Sequence, residues 1–212
     1  MEVYETEQEQ IEAIKKWWKQ NGKAVITGLI LGLACLVGWQ QWQASTQTAR
    51  ETASLEYSIL LNELQAESYD AVRERASRIL SLYGGTPYAA MAAMAAAKVN
   101  VETGELSAAR THLQLVIDTS KQEELVYVAR ARLARLMIDD GQASAAITLL
   151  KGVAAPAFDA LYQEIIGDAY VAQDDSEQAR AAYSAALASL DEGEDSSILQ
   201  MKLDELGVEA QL

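Results

Sequence analysis

Few residues in this chain have the chemistry of an active site. The sequence has one histidine, His112, and one cysteine, Cys35. A zinc site needs three or four ligands, and neither residue has a second of its kind to complete such a set. Two pairs of adjacent carboxylates, Glu123–Glu124 and Asp139–Asp140, lie in segments of helical pattern. Successive residues of a helix point in different directions, which makes these pairs poor acid–base partners.

The sequence motifs of common enzyme classes are also missing. The sequence has no Gly-x-Ser-x-Gly, no phosphate-binding glycine loop and no His-Glu-x-x-His. We therefore predict no catalytic residue, no metal, no cofactor and no small-molecule substrate. The formal net charge of −14 argues against nucleic acid, whose phosphates require lysine and arginine. Arg130, Arg132 and Arg135 form one basic spot, which either receives an acidic partner or pairs with nearby glutamates.

An apolar segment at residues 24–42, AVITGLILGLACLVGWQQW, has the length of a membrane span. No charged residue occurs between Lys23 and Arg50. At about 1.5 Å per residue the segment makes a helix of roughly 28 Å, close to the hydrocarbon thickness of a bilayer. Indole prefers the headgroup region, and four tryptophans flank the segment: Trp17, Trp18, Trp39 and Trp42. The pattern predicts a single transmembrane helix in a lipid bilayer.

Charge asymmetry around this segment predicts its orientation. Only Arg50 follows it closely, whereas four lysines precede it: Lys15, Lys16, Lys19 and Lys23. Basic flanks stay in the cytoplasm, so we expect a cytoplasmic N-terminus and a translocated C-terminal domain. In a Gram-negative bacterium this is an inner-membrane protein whose domain lies in the periplasm. The predicted division is a cytoplasmic tail with a short amphipathic segment at 1–23, the membrane helix at 24–42 and a periplasmic domain at 43–212.

Two other interpretations of the apolar segment are a cleaved signal peptide and a buried core helix. The Trp-Gln-Gln-Trp end lacks the small residues of a signal-peptide cleavage site, and the flanking tryptophans argue against a buried core helix. Within the segment, Gly28 and Gly32 form a small-xxx-small pair. This pair either packs against another membrane helix or reflects the high glycine content of membrane helices.

Beyond residue 50 the apolar pattern is helical and repeats along the chain. Three turns, at Gly104, Gly141 and Asp174, are each followed five positions later by an alanine. The turns are 37 and then 33 residues apart, near the 34-residue period of the tetratricopeptide repeat. The third copy is the most complete, with Gly167 and Tyr170 before its turn. We predict an all-α fold, an N-terminal transmembrane helix followed by a tetratricopeptide-like α-solenoid of helical hairpins; the alternative is a generic antiparallel helical domain.

The first helices of such hairpins line a concave face that binds partners. By analogy with the repeat, we predict a partner groove whose residues are Met91, Met94, Lys98, Arg135, Ile138, Glu164 and Asp168. The methionines suit adaptable binding, although ordinary core packing is an equal alternative for them. A last short helix at 197–206 is expected to cap the open end.

The opening of the chain resembles the N-terminus of the YfgM family. The resemblance is carried by Glu5 and Glu7, Gln10–Glu12, Lys15 with Trp17 and Trp18, Asn21–Lys23, Gly28 and Gly32, and Gly38–Trp39. It continues more loosely into a degenerate tetratricopeptide domain, and so covers the whole length. YfgM proteins are single-pass membrane subunits ancillary to the SecYEG translocon of Gram-negative bacteria.

The resemblance implies an adaptor without catalytic residues, held beside the translocon exit. There it would associate with the membrane-anchored chaperone PpiD and help transfer exported proteins to periplasmic chaperones. Two alternatives remain at the level of the sequence. One is a membrane regulator of an envelope stress response, acting through its cytoplasmic tail. The other is a scaffold for a cell-wall enzyme complex, since single-anchor tetratricopeptide domains also serve that purpose.

Overall fold

A computed structural model describes residues 7–191 and 193–209. The first part of the predicted cytoplasmic tail, residues 1–6, lies outside the described residues. The elements run in the order α1 Glu7–Gln65, α2 Tyr69–Tyr83, α3 Pro87–Glu102, α4 Leu106–Thr119, α5 Glu123–Asp139, α6 Ala143–Leu150, a 3₁₀ turn Pro156–Phe158, α7 Asp159–Val171, α8 Ser176–Ala188 and α9 Ser197–Glu209. No strand occurs among these described residues, and the predicted all-α class is confirmed.

The contacts divide the chain into two compact units, residues 1–51 and residues 52–212. The described part of the first unit is helical throughout, and its apolar side chains are exposed from Val25 to Trp42. One described helix, α1, is long and apolar enough to cross a bilayer, and only 6% of its apolar window is buried. This exposure is unlike that of a soluble core helix, and the helix fits a membrane anchor.

Helix α1 continues past the predicted end of the apolar segment at Trp42 to Gln65. The sequence from 43 to 65 contains neither glycine nor proline, the residues that most often end a helix. The first strong break is at Glu67, where the backbone is left-handed with φ of 54°.

The second unit is a series of helical hairpins. Residues 52–65 of α1 pair with α2, α3 with α4, α5 with α6, and α7 with α8, while α9 packs on α8. The core is divided among successive hairpins: Leu60 packs with α2 and α3, Leu113 and Leu133 share a second cluster, and Ile165 lies in a third. Each hairpin therefore buries its apolar face against its neighbours, as in helical-repeat proteins.

The same turn closes all four hairpins. It places one left-handed residue at Glu67, Gly104, Gly141 and Asp174, with φ between 54° and 80°. In each turn the following amide donates to a carbonyl five residues earlier, as in Gln142 N to Met137 O at 2.7 Å and Asp175 N to Tyr170 O at 3.0 Å. This is the Schellman arrangement, which satisfies the last carbonyls of a helix.

Small residues allow the paired helices to approach closely. Gly167 on α7 faces the Tyr183 ring of α8, and a Cβ added at Gly167 would clash with the ring carbons. The Tyr183 hydroxyl then donates to Asp168 Oδ1 at 2.7 Å. The absence of a side chain at Gly167 therefore makes room for the Tyr183 ring.

Candidate partner-binding face

The residues predicted for the groove on α3 differ in exposure. Met94 is 8% exposed and belongs to a core cluster with Ala97 and Leu113, whereas Met91 is half-buried. Lys98 is exposed and forms an ion pair with Glu102 one turn along the same helix, at 3.0 Å. Met94 therefore contributes packing, whereas Lys98 is exposed to solvent.

On α5, Arg135 is exposed and Ile138 is half-buried against the next core cluster. On α7, Glu164 and Asp168 both accept from the ammonium of Lys202 on α9, at 2.7 and 2.6 Å. These two carboxylates consequently share one cation, which the last helix supplies. The acidic end of the predicted groove lies against a cation of the same chain.

Electrostatics around Lys202 favour its charged form. Burial opposes the charge, but the hydrogen bonds to Asp168 and Glu164 outweigh burial and raise the pKa of Lys202 above its ordinary value. The ammonium also lies 5.4 Å from the centre of the Tyr183 ring. Burial and the hydrogen bond to Asp168 raise the pKa of Tyr183, so that its hydroxyl stays a donor. The cluster is a hydrogen-bonded cap on the last hairpin in which two carboxylates share one ammonium.

The four hairpins have aliphatic residues at one equivalent position of their first helices. Three positions before each left-handed residue is an aliphatic side chain: Leu64, Val101, Ile138 and Val171. Val101 and Val171 are 41% and 43% exposed, and the other two are half-buried. Because equivalent positions of stacked hairpins share a face, these four residues define an apolar row on the first-helix side.

A second row lies one helical turn earlier, six positions before each turn residue. It contains Leu61, Lys98, Arg135 and Asp168. The two central members are exposed cations, in a chain whose formal net charge is −14. An extended or helical segment with apolar side chains and a carboxylate would complement this combination of rows.

Sequence reasoning found Ile138, Lys98, Arg135 and Asp168 but missed Leu61, Leu64, Val101 and Val171. Val101 and Val171 each lie three residues before a turn that was already predicted, whereas Leu61 and Leu64 can be recognised only with the turn at Glu67. With the turn at Glu67 included, successive turns are 37, 37 and 33 residues apart. The two rows are then the positions three and six residues before each turn residue. The left-handed turn residues of the other copies are glycine or aspartate, so glutamate at this position hid the first copy.

Other polar clusters position the hairpins. Arg75 of α2 binds Glu56 and Glu63 of α1, and Arg73 donates to Asn100, the one buried polar residue of the described core. Asn100 occupies the position that is aromatic in the third repeat, which explains the departure from the repeat pattern. The Asn100 side-chain oxygen accepts this hydrogen bond, so the buried acceptor has a partner.

The remaining candidate features have no catalytic arrangement. An open cleft of about 270 Å³ lies between the loop after α6 and the α7–α8 hairpin, lined by Tyr162, Ile166 and Tyr170 among others. Across residues 7–191 and 193–209 there is no group of three His, Cys or acidic residues placed to hold a metal. In the apolar segment, Gly28 and Gly32 have open space where a Cβ would be, so the packing role predicted for them remains a prediction.

Successive helical hairpins that share one turn type define the class of helical-repeat proteins. The family described as tetratricopeptide repeat-like domain matches residues 15–208.

Relatives match the chain over nearly its whole length. A protein of Escherichia coli (strain K12) named Ancillary SecYEG translocon subunit is 31% identical over 211 residues, which is 98% of this chain and 100% of that protein. Proteins of the same name from Haemophilus influenzae and Neisseria gonorrhoeae are 31% and 26% identical, covering 96% and 97% of this chain and all of each relative. The chain belongs to the family of ancillary SecYEG translocon subunits, as its opening residues indicated.

Proposed function

We propose that this chain is a non-catalytic, membrane-anchored adaptor of the SecYEG translocon. Its apolar helix spans the inner membrane with the N-terminus in the cytoplasm, and its hairpin domain lies in the periplasm. There the domain binds a membrane-anchored chaperone of the PpiD type and helps to transfer exported proteins to periplasmic chaperones. The observation that carries the proposal is the match to translocon subunits from the apolar helix through the last hairpin.

The exposed apolar helix supports the anchor, and Gly28 and Gly32 support contact with another membrane helix. Both glycines are exposed, with no heavy atom within 4 Å of an added Cβ. A flat small-residue surface of this kind lets a partner helix approach closely in lipid. We propose that this surface contacts a membrane helix of the translocon or of the chaperone.

The two rows on the first-helix side support the proposal that this side contains a partner-binding groove. Met91, Lys98, Arg135 and Ile138 face solvent at least in part, and Val101 and Val171 extend the apolar row. Glu164 and Asp168 end the groove as a pair closed by Lys202, and Met94 supports it from the core. We propose that the groove binds an apolar segment of the chaperone.

Photo-crosslinking in living cells tests the two contacts. A photoreactive residue at Gly28 should crosslink to a translocon subunit or to the chaperone, and one at Ile138 should crosslink to the chaperone. Thr148 is the control for Ile138, because it is exposed on the second helix of the same hairpin. Recovery of only cell-wall enzymes from Gly28 and Ile138 would reject the export function, and equal yields from Thr148 and Ile138 would reject the groove.

A charge substitution tests the apolar row independently. Val101→Glu with Val171→Glu should weaken co-purification of the chaperone about tenfold or more, since a carboxylate cannot be desolvated against an apolar segment. The matched control is Leu106→Glu with Leu115→Glu, two leucines of similar exposure, 38% and 37%, on α4. If both pairs weaken co-purification equally, the row is not the binding surface.

A further inference from the structure

Four lysines lie on one side of the helix that leads into the apolar segment. They are Lys15, Lys16, Lys19 and Lys23, and all are exposed. At 3.6 residues per turn these four positions fall within about 100° of the helix circumference. None of them forms an ion pair with another residue in the part of the chain that the structure describes. Glu9 and Glu12 lie nearer the N-terminus on that side, so the positive charge is concentrated between Lys15 and Lys23.

The opposite side of the same helix is apolar and aromatic. Ile11, Ile14, Trp17 and Trp18 are each more than half exposed. The Trp18 indole lies along the helix over Gly22, where its Cε2 would be 3.2 Å from an added Cβ. Charge and apolar surface are therefore separated on two sides of one helix, immediately before the apolar segment.

The position of the lysines along the helix matches the depth of lipid headgroups. Lys23 directly precedes the apolar segment that begins at Ala24, and Lys15 lies about 12 Å farther out at 1.5 Å per residue. The headgroup region on one side of a bilayer is roughly 5–8 Å thick. Lys19 and Lys23 lie closest to this level, and stems extended along the helix toward the apolar segment would bring the ammonium groups of Lys15 and Lys16 nearer to it.

We propose that this lysine face is a binding site for anionic phospholipids of the membrane, with the ammonium groups on the lipid phosphates and the indoles at the glycerol level. An ammonium is a compact charge with three donors, which suits phosphates that exchange and move laterally. Clusters of four or more basic residues beside a membrane helix bind anionic lipids by this chemistry. The site rests on the proposed membrane anchor and is independent of translocon binding.

Tryptophan quenching in vesicles tests the site on the full chain. Trp39→Phe with Trp42→Phe leaves Trp17 and Trp18 as the only indoles, so that fluorescence reports the lysine end alone. Quenching by brominated phosphatidylglycerol and by brominated phosphatidylcholine gives the relative association of the two lipids. We expect phosphatidylglycerol to be preferred about threefold or more at low salt, and the preference to fall at 1 M salt.

Three variants in this background identify the source of the preference. Replacing the four lysines with glutamine should abolish the preference, and replacing them with arginine should retain it. The control is Lys121→Gln with Lys151→Gln, two exposed lysines of the second unit, which should leave the preference unchanged. No preference in the parent chain, or an equal preference in the glutamine variant, would overturn the proposal.

Two further measurements separate this site from other outcomes. Inorganic phosphate should lower the preference no more than chloride of equal ionic strength; a greater effect would assign the site to free phosphate and overturn the lipid assignment. Flotation of the chain with vesicles checks the anchor, and a chain that fails to float would overturn both the anchor and this site. A chain that floats without lipid preference would overturn this site alone.

Discussion

At the scale of single residues, Gly167 and Tyr183 explain why the third repeat keeps the small and aromatic residues of its pattern. The ring of Tyr183 occupies the space where a Cβ of residue 167 would lie, and its hydroxyl reaches Asp168. Alanine normally stabilises a helix relative to glycine by about 1 kcal/mol. At this position the steric clash is larger than that gain.

We therefore expect Gly167→Ala to lower the free energy of unfolding by about 1–3 kcal/mol, as overpacked cores do. The measurement is urea unfolding of the detergent-solubilised chain, followed by circular dichroism. Gly207→Ala is the control, because this helical glycine has open space at its Cβ position. Equal effects at the two positions would show that the contact with Tyr183 is unimportant.

His112 introduces a modest pH dependence. The side chain is half-buried on α4, and burial lowers its pKa below the ordinary value of about 6.5. The unfolded chain therefore binds more protons than the folded chain between that lowered pKa and 6.5. Stability falls as the pH drops through this range, and it is unaffected by His112 above the range.

The matching prediction concerns melting temperature between pH 7.5 and pH 5.5. The native chain should lose more thermal stability over this interval than His112→Gln, which has no titrating group at the position. Above pH 7.5 the difference between the two melting temperatures should stay constant. If the melting temperatures of the two chains change equally with pH across the whole interval, His112 is as solvated in the folded chain as in the unfolded one.

At the scale of elements, the left-handed turn that ends each first helix sets the repeat. Gly104 and Gly141 adopt it without steric cost, whereas Glu67 and Asp174 adopt it as non-glycine residues, with φ of 54° and 58°. The left-handed conformation costs an ordinary residue about 1 kcal/mol or more. The hydrogen bonds that close the turn and the packing of the hairpin offset this cost.

Introducing a glycine at one turn and removing a glycine from another should therefore change the free energy of unfolding in opposite directions. Asp174→Gly should raise the free energy of unfolding by up to about 1 kcal/mol, and Gly141→Ala should lower it by a similar amount. Urea titration of both variants beside the parent measures the difference. A gain from Gly141→Ala would show that the turn changes conformation when its glycine is replaced.

The last helix closes the second unit through Lys202. Lys202→Ala leaves Glu164 and Asp168 close together without their shared cation, and we expect a loss of about 1–2 kcal/mol because all three side chains are only partly exposed. Lys202→Met retains the packing of the stem and isolates the electrostatic part. Amide hydrogen exchange should show faster opening of α9 in both variants, and unchanged exchange would mean that apolar contacts alone hold α9.

At the scale of the whole molecule, sequence patterns predicted the order of the elements well. Glycine, proline or acidic residues mark most of the breaks, but the break at 120–122 between α4 and α5 contains none of them. The helical class and the repeat were confirmed. The continuation of α1 from Trp42 to Gln65 was not predicted. Membrane thickness sets the length of a membrane span, but it does not set where a helix without glycine or proline ends.

The predicted face could be derived only in part from the sequence. Position within a repeat indicates which side a residue takes; Lys98 and Arg135 are exposed and Ile138 is half-buried, and their role in a groove stays a prediction. Position does not indicate what covers that side. Met94 is buried in the core and Lys202 binds the two carboxylates of α7, because tertiary contacts between distant segments decide exposure.

The account depends on the apolar helix holding the hairpin domain on the side of the membrane opposite the lysines. Single cysteines in a Cys35→Ala background test this with a membrane-impermeant maleimide on spheroplasts of a Gram-negative host. Lys121→Cys, in an exposed loop of the second unit, should be labelled before lysis, and Gln10→Cys only after lysis. Labelling of Gln10→Cys in unlysed spheroplasts, with Lys121→Cys protected, would contradict the proposed topology and the export function built on it.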